Sequence, residues 1–199
     1  MIGDKLIFRD RHYAAADKIM ETIKPYHDRR TAISIGGESG TGKSEIAFIL
    51  RDRYYNQGIR VQLVSLDDYY KTSWKERRDW REKNFSLIGA GEMDWDRLHR
   101  VLDMYKTGIQ VRTTRINKYT YSREINLWDA ESVDLLIFEG LYALGLNTDF
   151  KIHVSGSYKE TKDFRTERGK EIQDKHRDMV LERESEAVQK LKEKADLEV

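Results

Sequence analysis

The first part of the chain alternates helical and extended apolar patterns. Residues 10–24 carry apolar side chains at helical spacing, and the only proline, Pro25, closes this segment. The spacing predicts a leading helix with Ala16, Ile19, Met20 and Ile23 on one face. Residues 31–35 then predict a short buried strand, which runs directly into a glycine-rich stretch at residues 36–44.

A second helix and a second strand follow the glycine-rich stretch. The helix presents Ile46, Ile49 and Leu50 on one face and ends near Gly58, and residues 59–66 predict the strand. Because two parallel strands joined by a helix form a right-handed crossover, this order indicates a parallel sheet.

Residues 70–128 are rich in arginine, lysine and aromatic side chains and have little long-range periodicity. Within this stretch, residues 95–105 predict a helix, and residues 110–121 alternate enough for a hairpin or a pair of edge strands. We expect this region to be an insertion over the functional site. For Trp74, Trp80, Trp95 and Trp128 in or beside it, packing is the more common role than stacking on a base or sugar.

The last third of the chain returns to strands and helices. Residues 133–138 form the most apolar run and predict a central parallel strand, and residues 150–154 predict another. A charged helix from residue 158, a basic turn and a long helix follow, and residues 195–199 predict a last strand. We expect the long helix to face the core with four apolar side chains: Val180, Ala187, Val188 and Leu191.

Length and composition narrow the class of protein. A chain of 199 residues suits one domain, 1–199, with small insertions. Lys and Arg number 36 and Asp and Glu 35, so no net field favours nucleic acid or an anionic membrane as a partner. No cysteine is present, which excludes disulfides and thiolate zinc sites and fits a reducing cytoplasm. Neither a signal-peptide core nor a membrane-spanning apolar run occurs, and homo-oligomerisation stays open.

The strongest chemical signal is a Walker A motif, G-x-x-x-x-G-K-[ST], between a predicted strand and a predicted helix. Its glycines let successive main-chain N–H groups point at phosphate oxygens, and the following helix adds its positive end. We therefore expect ATP to bind here, with Lys43 at the β- and γ-phosphates and Ser44 on Mg²⁺. The nucleotide-binding residues are Gly37, Glu38, Ser39, Gly40, Thr41, Gly42, Lys43 and Ser44.

Two acidic positions lie where predicted strands end. Asp67 and Asp68 follow the second strand, and a carboxylate there suits both proton acceptance and a magnesium-bound water. Glu139 ends the apolar run Asp134–Phe138, in the arrangement of a Walker B strand with Glu in place of Asp. The alternatives are an ordinary acidic turn and an acid that simply ends a buried strand. We predict that Asp67 is the catalytic base and that Ser44, Asp67 and Glu139 form the magnesium site.

A basic turn late in the chain predicts a lid. Arg165, Arg168 and Lys170 lie between two helices, and guanidinium groups on a lid at residues 158–173 can cover ATP and neutralise charge during transfer. The alternative is a solvated surface, because Glu167 and Glu171 lie beside these cations.

Read in order, the segments GGESGTGKS, LDDYY, LLIFEGLYAL and R-x-x-R-G-K-E resemble the uridine kinase and phosphoribulokinase family of P-loop kinases. The resemblance spans nearly the whole chain. It implies a three-layer α/β P-loop fold, with a mostly parallel doubly wound sheet, helices on both faces and a small lid. It also implies that Asp67 is the catalytic base, Glu139 a magnesium partner, and Arg165, Arg168 and Lys170 the lid.

The acceptor pocket departs from the family pattern. Uridine kinases have N-F-D-H-P before a helix, with an Asp that contacts ribose, whereas this chain has Ile88–Glu92 there; residues 116–121 likewise replace a Y-D-F and His segment. These departures argue against uridine and for a more anionic acceptor, unless the basic residues form only an exposed hairpin face. The candidate acceptor-binding residues are Asp68, Tyr70, Arg115, Tyr121 and Arg123.

Other nucleotide-binding classes fit less well. A regulatory GTPase needs N-K-x-D, but Asn117-Lys118 is followed by Tyr119-Thr120, and small size and balanced charge disfavour a motor or nucleic-acid ATPase. A nucleotide-binding module without an acceptor stays open. We expect an ATP- and magnesium-dependent kinase that phosphorylates a hydroxyl of a small metabolite, such as a nucleoside, a sugar or a sugar phosphate.

Overall fold

The computed structural model describes residues 2–24, 30–169 and 174–199. Its helices are α1 (Asp10–Thr22), α2 (Lys43–Asn56), α3 (Arg77–Lys83), α4 (Trp95–Thr107), α5 (Lys162–Arg168) and α6 (Lys175–Lys192). Its strands are β1 (Thr31–Gly37), β2 (Val61–Ser65), β3 (Gln110–Ile116), β4 (Arg123–Asp129), β5 (Leu135–Glu139), β6 (Phe150–Val154) and β7 (Leu197–Glu198). Short 3₁₀ turns join several of them.

In the described part of the chain, the central sheet has the strand order β2-β5-β1-β6-β7, and all neighbouring strands are parallel. Strands β3 and β4 form a separate antiparallel hairpin, in which Gln110 pairs with Asp129 and Ile116 with Arg123. The order of the central strands places β1, which carries the glycine-rich loop at its end, between β5 and β6. The loop therefore emerges from the middle of the sheet.

Alternate residues of the central strands pack into two cores on opposite faces. On β5, Leu136 and Phe138 join a core with α4 and α6, while Leu135 and Ile137 join a core with α1 and α2. A strand buried on both faces is apolar at nearly every position, which explains why this run is the most apolar in the chain. Helices on both faces of a parallel sheet confirm the predicted three-layer α/β fold.

Most predicted elements are confirmed, but the hairpin prediction was wrong in its extent. Residues 110–121 hold only β3 and the start of the turn, and the partner strand is β4. Along β4 every side chain except the half-buried Trp128 is exposed. Because neither face of the strand is buried, its sequence has no alternation of apolar and polar residues that would have predicted it. The helix α3 was missed too, because seven mostly charged residues carry little periodicity. Pro25 lies outside the described residues.

The central strand starts later than predicted, at Leu135, because Asp134 has a different role. Its carboxylate is buried and accepts hydrogen bonds from the main-chain N–H of Arg60 at 2.8 Å and from the Arg60 Nε and Nη2 at 2.9 and 2.8 Å. This pair fastens the start of β5 to the segment before β2. Across the ranges that the structure covers, no helix has the length and apolar character needed to cross a membrane.

Candidate active site

The glycine-rich loop connects β1 to α2 and needs glycine for two separate reasons. Gly40 and Gly42 have φ angles of 83° and 98°, in the left-handed region that side chains disfavour. A Cβ on Gly40 would also lie 2.8 Å from the Arg165 Cγ, and one on Gly42 would clash with the imidazole of His12. The tight turn that exposes the loop amides therefore depends on both residues.

Lys43, at the first position of α2, is buried, and its Nζ donates a 2.6 Å hydrogen bond to the main-chain carbonyl of Glu38. Burial lowers the pKa of Lys43 to about 8, against the opposing influence of the Glu139 and Asp67 carboxylates. At neutral pH the ammonium group is therefore still mainly protonated. It supplies a positive charge inside the curve of the loop, where a phosphate would lie.

Ser44 in the first turn of α2 meets Glu139, the last residue of β5, at the carboxyl edge of the sheet. The Ser44 Oγ donates a 2.9 Å hydrogen bond to the Glu139 Oε2. A hydroxyl and a carboxylate are the oxygen donors that Mg²⁺ prefers, and Mg²⁺ usually takes only one or two carboxylates beside water and substrate phosphate. Among the residues described, no cluster of three or more His, Cys, Asp or Glu side chains could hold a metal. The hydroxyl and carboxylate of this pair are donors that fit a magnesium ion whose other ligands are water and phosphate.

The two neighbouring acids after β2 have different surroundings. Asp67 lines the same cleft as Lys43, Ser44 and Glu139. Asp68 is buried and accepts a 2.9 Å hydrogen bond from the main-chain N–H of Ile116, and burial raises the pKa of Asp68 to about 6. Asp67 therefore borders the open cleft, whereas Asp68 anchors the 3₁₀ turn Leu66–Tyr69 to β3.

The cleft encloses about 740 Å³, including its open mouth. Cations outnumber acids along it: the basic residues are Lys43, Arg77, Arg81, Arg165, Arg168 and Arg177, and the acids are Asp67, Glu139 and Glu184. Tyr70 and Trp74 supply aromatic surface, so Trp74 lines the cleft rather than the core. A cleft with this charge balance suits a polyanionic ligand such as a nucleoside triphosphate.

The predicted lid lies directly against the glycine-rich loop. Thr161, just before α5, donates a 2.7 Å hydrogen bond from its Oγ1 to the main-chain carbonyl of Ser39. Arg165 is buried and donates to the Tyr158 carbonyl and, at 3.0 Å, to the Thr161 Oγ1. Arg168 also lines the cleft, although its Nε donates to the Lys5 carbonyl at 3.3 Å. Lys170 lies outside the described residues.

Only some of the predicted acceptor-binding residues line the cleft. Tyr70 lines the cleft, and burial raises its pKa. Arg115, Tyr121 and Arg123 are exposed on the β3–β4 hairpin and are not among the residues lining this cleft. Arg115 instead borders a second hollow, which Asp68 and Glu139 also line. The basic alternation of the hairpin reflects a solvated surface, and we do not assign these three residues to the acceptor.

Sequence reasoning missed the role of the Glu38 side chain. The carboxylate is buried and accepts hydrogen bonds from the Tyr158 N–H at 2.7 Å, the Ser185 Oγ at 2.8 Å and the Gln189 Nε2 at 2.7 Å. It ties the glycine-rich loop to the segment before α5 and to α6. The position is unspecified in the motif, so only its long-range partners reveal this function.

A chain of buried charges borders one wall of the cleft. Arg81 forms two hydrogen bonds to Glu92, at 2.7 and 3.1 Å, and also contacts Glu184 at 2.9 Å. Glu184 in turn pairs with Arg177 at 3.0 Å. Burial alone would raise the pKa of Glu184, but Arg177 and Arg81 hold it below its usual value. The chain fixes α3 against α6, and its members are too far apart in sequence to form a motif.

The N-terminal segment packs beside the glycine-rich loop and against α5. His12 on α1 is buried, its Nδ1 accepts a 3.2 Å hydrogen bond from the Arg9 N–H, and its ring packs edge-on against Phe164 of α5. The guanidinium groups of Arg9 and Arg11 also lie over the Phe164 ring, at 5.0 and 5.4 Å. Helix α1 therefore touches both the loop and the lid helix.

This fold and this loop, with an acidic strand end beside it, define a P-loop α/β protein. The sequence profile described as the Phosphoribulokinase / Uridine kinase family matches residues 32–180, and the chain belongs to this family. It is similar to the uridine kinase of Halobacterium salinarum, with 27% identity over 120 residues that cover 59% of this chain and 50% of the relative.

The chain is also similar to a second curated protein and to a solved structure. The bifunctional alpha-galactosidase/sucrose kinase AgaSK of Mediterraneibacter gnavus is 29% identical over 114 residues, which cover 50% of this chain and 12% of that protein. The chain thus spans half the length or less of these curated relatives. A possible uridine kinase from Bacillus stearothermophilus has the same fold, with a TM-score of 0.62, 21% identity, and coverage of 96% of this chain and 97% of that one.

Replacing Gly42 with alanine should damage the loop more than an equivalent change elsewhere. Gly42→Ala meets both an unfavourable φ and the imidazole of His12, so we expect loss of nucleotide binding and a lowered unfolding midpoint. Gly58→Ala is the control, because Gly58 has a φ of 81° but no atom near its Cβ. It should cost about 1 kcal/mol and leave binding intact. Equal binding by both variants, measured by calorimetry, would show that the loop tolerates a side chain at Gly42.

The buried imidazole of His12 should make the protein sensitive to acid. Burial lowers its pKa below the ordinary 6.5, and Arg11, Arg9 and Arg168 lower it further while Glu45 opposes them. Acid therefore favours the unfolded chain, in which His12 binds a proton more readily. The free energy of unfolding that neutral His12 contributes is complete above pH 6.5 and is lost as the pH falls through the lower pKa of the folded state.

We expect urea midpoints to fall less between about pH 7.5 and about pH 5.5 for His12→Gln than for the wild type. His99→Gln provides the control, because His99 is exposed on α4. His153, whose pKa burial also lowers, stays in every variant and contributes equally to each. Identical falls for the wild type and His12→Gln would exclude His12 as a source of the acid sensitivity.

Proposed function

We propose that this protein is an ATP- and magnesium-dependent kinase that transfers the γ-phosphate to a hydroxyl group of a small metabolite. One observation carries the proposal: a single cleft brings together Lys43 in the glycine-rich loop, the Ser44–Glu139 pair and the carboxylate of Asp67. These groups come from three different strand ends. Membership of a family that contains uridine kinases supports the same chemistry.

The nucleotide would occupy the glycine-rich loop. Main-chain N–H groups of residues 37–44 and the positive end of α2 would bind the phosphates, with Lys43 at the β- and γ-phosphates. Arg165 and Arg168 would cover the nucleotide from the lid, residues 158–173. Contact between Thr161 and Ser39 supports this arrangement, because it holds the start of α5 against the loop.

Magnesium would be held by Ser44 and Glu139, with Asp67 beside them. When bound, the ion neutralises charge on the β- and γ-phosphate oxygens and helps to position them. The 2.9 Å contact between Ser44 and Glu139 supports this assignment, because it brings a hydroxyl and a carboxylate oxygen to one point at the start of α2. Both are ligands that suit a small, hard cation.

Transfer would proceed in line. The acceptor hydroxyl oxygen forms a bond to the γ-phosphorus while the bond from that phosphorus to the oxygen bridging to the β-phosphate breaks, and ADP departs. Asp67 orients the hydroxyl and accepts its proton. Lys43 and the loop amides stabilise the charge that develops on the phosphoryl oxygens.

The chain would act as one kinase domain, residues 1–199, in which residues 70–128 form the acceptor side. A sugar-like acceptor is better supported than a nucleoside. Glu92 is the only acid in the segment that replaces the family's ribose-binding motif, and it is buried against Arg81 and the Gly89 N–H. The partly matching sucrose kinase relative favours a sugar as well. We place the protein in the cytoplasm, without nucleic-acid or membrane partners.

A nucleotide hydrolase without an acceptor is the second candidate. The space beside Asp67, lined by Tyr70 and Trp74, favours a kinase because a hydrolase needs room only for water. ADP release with Mg²⁺ and ATP separates the two. A kinase shows little release until an acceptor is added, whereas a hydrolase releases ADP with nucleotide alone.

Removing the proposed base should abolish transfer but not nucleotide binding. Asp67→Asn keeps the size of the side chain and loses proton acceptance, so ADP release with acceptor should fall by about 10²- to 10⁴-fold. Asp68→Asn is a matched control, since an amide oxygen can still accept the hydrogen bond from Ile116. Unchanged turnover in Asp67→Asn, measured with saturating ATP, would remove Asp67 from the mechanism.

Removing the loop cation should affect both binding and transfer. Lys43→Ala deletes the charge nearest the phosphates, so we expect weaker ATP binding by calorimetry and a fall in turnover of about 10²- to 10³-fold. Lys190→Ala, on the exposed surface of α6, should match the wild type. Full activity of Lys43→Ala would contradict the assignment of the phosphate-binding loop.

A further inference from the structure

Arg77, the first residue of α3, is a buried cation in the wall of the cleft. Only 7% of the residue is exposed, and its guanidinium carbon lies 3.5 Å from the centre of the Tyr70 ring and 5.3 Å from that of Trp74. Both distances fall within the range of a cation–π contact, which holds the guanidinium group against the rings. Its position is therefore set by packing rather than by an acid.

The Nε and Nη2 of Arg77 are buried and have no hydrogen-bond partner in the part of the chain that the structure describes. The same edge is occupied in two other arginines, because Arg60 uses Nε and Nη2 to bind Asp134, and Arg81 uses them to bind Glu92. A buried guanidinium with two unused donors destabilises a protein. Such a group is expected where a ligand completes the hydrogen bonds.

Two of the three acids that line the cleft have other partners. Glu184 contacts Arg81 and Arg177, and Glu139 accepts from Ser44. No ion pair to Arg77 occurs among the described residues, so its charge is not balanced by a direct contact.

Arg77 lies on the acceptor side of the cleft. Its ring contacts are with Tyr70 and Trp74, which follow Asp67 in the chain, whereas Arg165 contacts Tyr158 and Thr161 beside the glycine-rich loop. The phosphates of a nucleotide have Lys43, Arg165 and Arg168 as their cations. Arg77 is left for a different anionic group.

We propose that Arg77 determines acceptor specificity by binding an oxyanion, a carboxylate or a phosphoryl group, that the acceptor carries in addition to its reacting hydroxyl. This inference rests on the proposed kinase function and narrows its acceptor to anionic molecules. Trp74 lies in the turn just before α3 and covers the guanidinium, so the acceptor reaches the Nε and Nη2 donors when this indole moves aside. The bound oxyanion then receives both hydrogen bonds side by side.

The test compares acceptors that differ only in charge. One set is D-glucose, D-gluconate and D-glucose 6-phosphate, and the other is glycerol, D-glycerate and glycerol 3-phosphate. Each is titrated by calorimetry into the full chain with Mg²⁺ and a non-hydrolysable ATP analogue, and each is assayed for ADP release with ATP. We expect at least one anionic member to bind about tenfold or more tightly than its neutral counterpart.

Two variants connect that preference to Arg77. Arg77→Met keeps the aliphatic packing on Tyr70 but removes the donors, so binding of the anionic member should fall at least about tenfold while nucleotide affinity stays unchanged. Arg78→Met is the matched control, because Arg78 is exposed and pairs with Glu82 and Asp174. Circular dichroism and the thermal midpoint of Arg77→Met report on folding; removing an unpaired buried charge should not lower that midpoint.

The outcomes separate the two proposals. If no anionic member binds better than its neutral counterpart, or if the preference survives in Arg77→Met, the role of Arg77 is overturned, whether or not transfer occurs. If the nucleotide analogue binds and a neutral sugar is phosphorylated as well as its anionic counterpart, the kinase proposal stands without a role for Arg77. If the anionic member binds through Arg77 but no ADP is released, the anion site stands and the kinase assignment fails. The carboxylate and phosphate arms identify which oxyanion fits.

Discussion

The alignment of three parallel strands is the constraint on which the site depends. In the sheet register, Glu139 of β5 lies level with Ile35 of β1 on one side and with Ser65 of β2 on the other. The loop after β1 and the turn after β2 must therefore leave the sheet at the same height. A shift of β5 by one residue would turn the Glu139 side chain to the opposite face and break its contact with Ser44. The apolar residues that fill both cores fix this register.

Several charged side chains in and beside the cleft are buried, and each is held in position by hydrogen bonds or ion pairs. Glu38 accepts three hydrogen bonds from the segment before α5 and from α6, and Glu184 joins Arg81 to Arg177. Burying charge is costly, so such networks rarely exist for stability alone. Their effect here is to hold the loop, α3, α5 and α6 at fixed positions around one cavity. A site that is already ordered needs less rearrangement when a charged substrate enters.

Local sequence patterns predicted residues that the structure brings together around the glycine-rich loop. Glycine spacing, the adjacent Lys43 and Ser44, and an acid ending an apolar strand depend on contacts within a few residues, or on the rule that parallel strands end at one edge. The role of Glu38 could not be predicted in this way, since its partners lie about 120 to 150 positions away. Arg115 and Arg123 of the hairpin do not line the cleft. The sequence alone could not show this, because a solvated strand and a binding strand can have the same basic composition.

The two sides of the cleft therefore differ in how freely they can change. The loop side is constrained by backbone geometry, because Gly40 and Gly42 leave no room for a side chain. On the opposite wall of the cleft, the side chain of Arg77, the first residue of the short helix α3, contacts the rings of Tyr70 and Trp74, and all three residues lie outside the central sheet. Substitutions there alter the shape and charge of the pocket without moving β1, β2 or β5. Family members can thus keep one phosphate-transfer apparatus and change their acceptor, so acceptor identity has to be inferred from this chain's own residues.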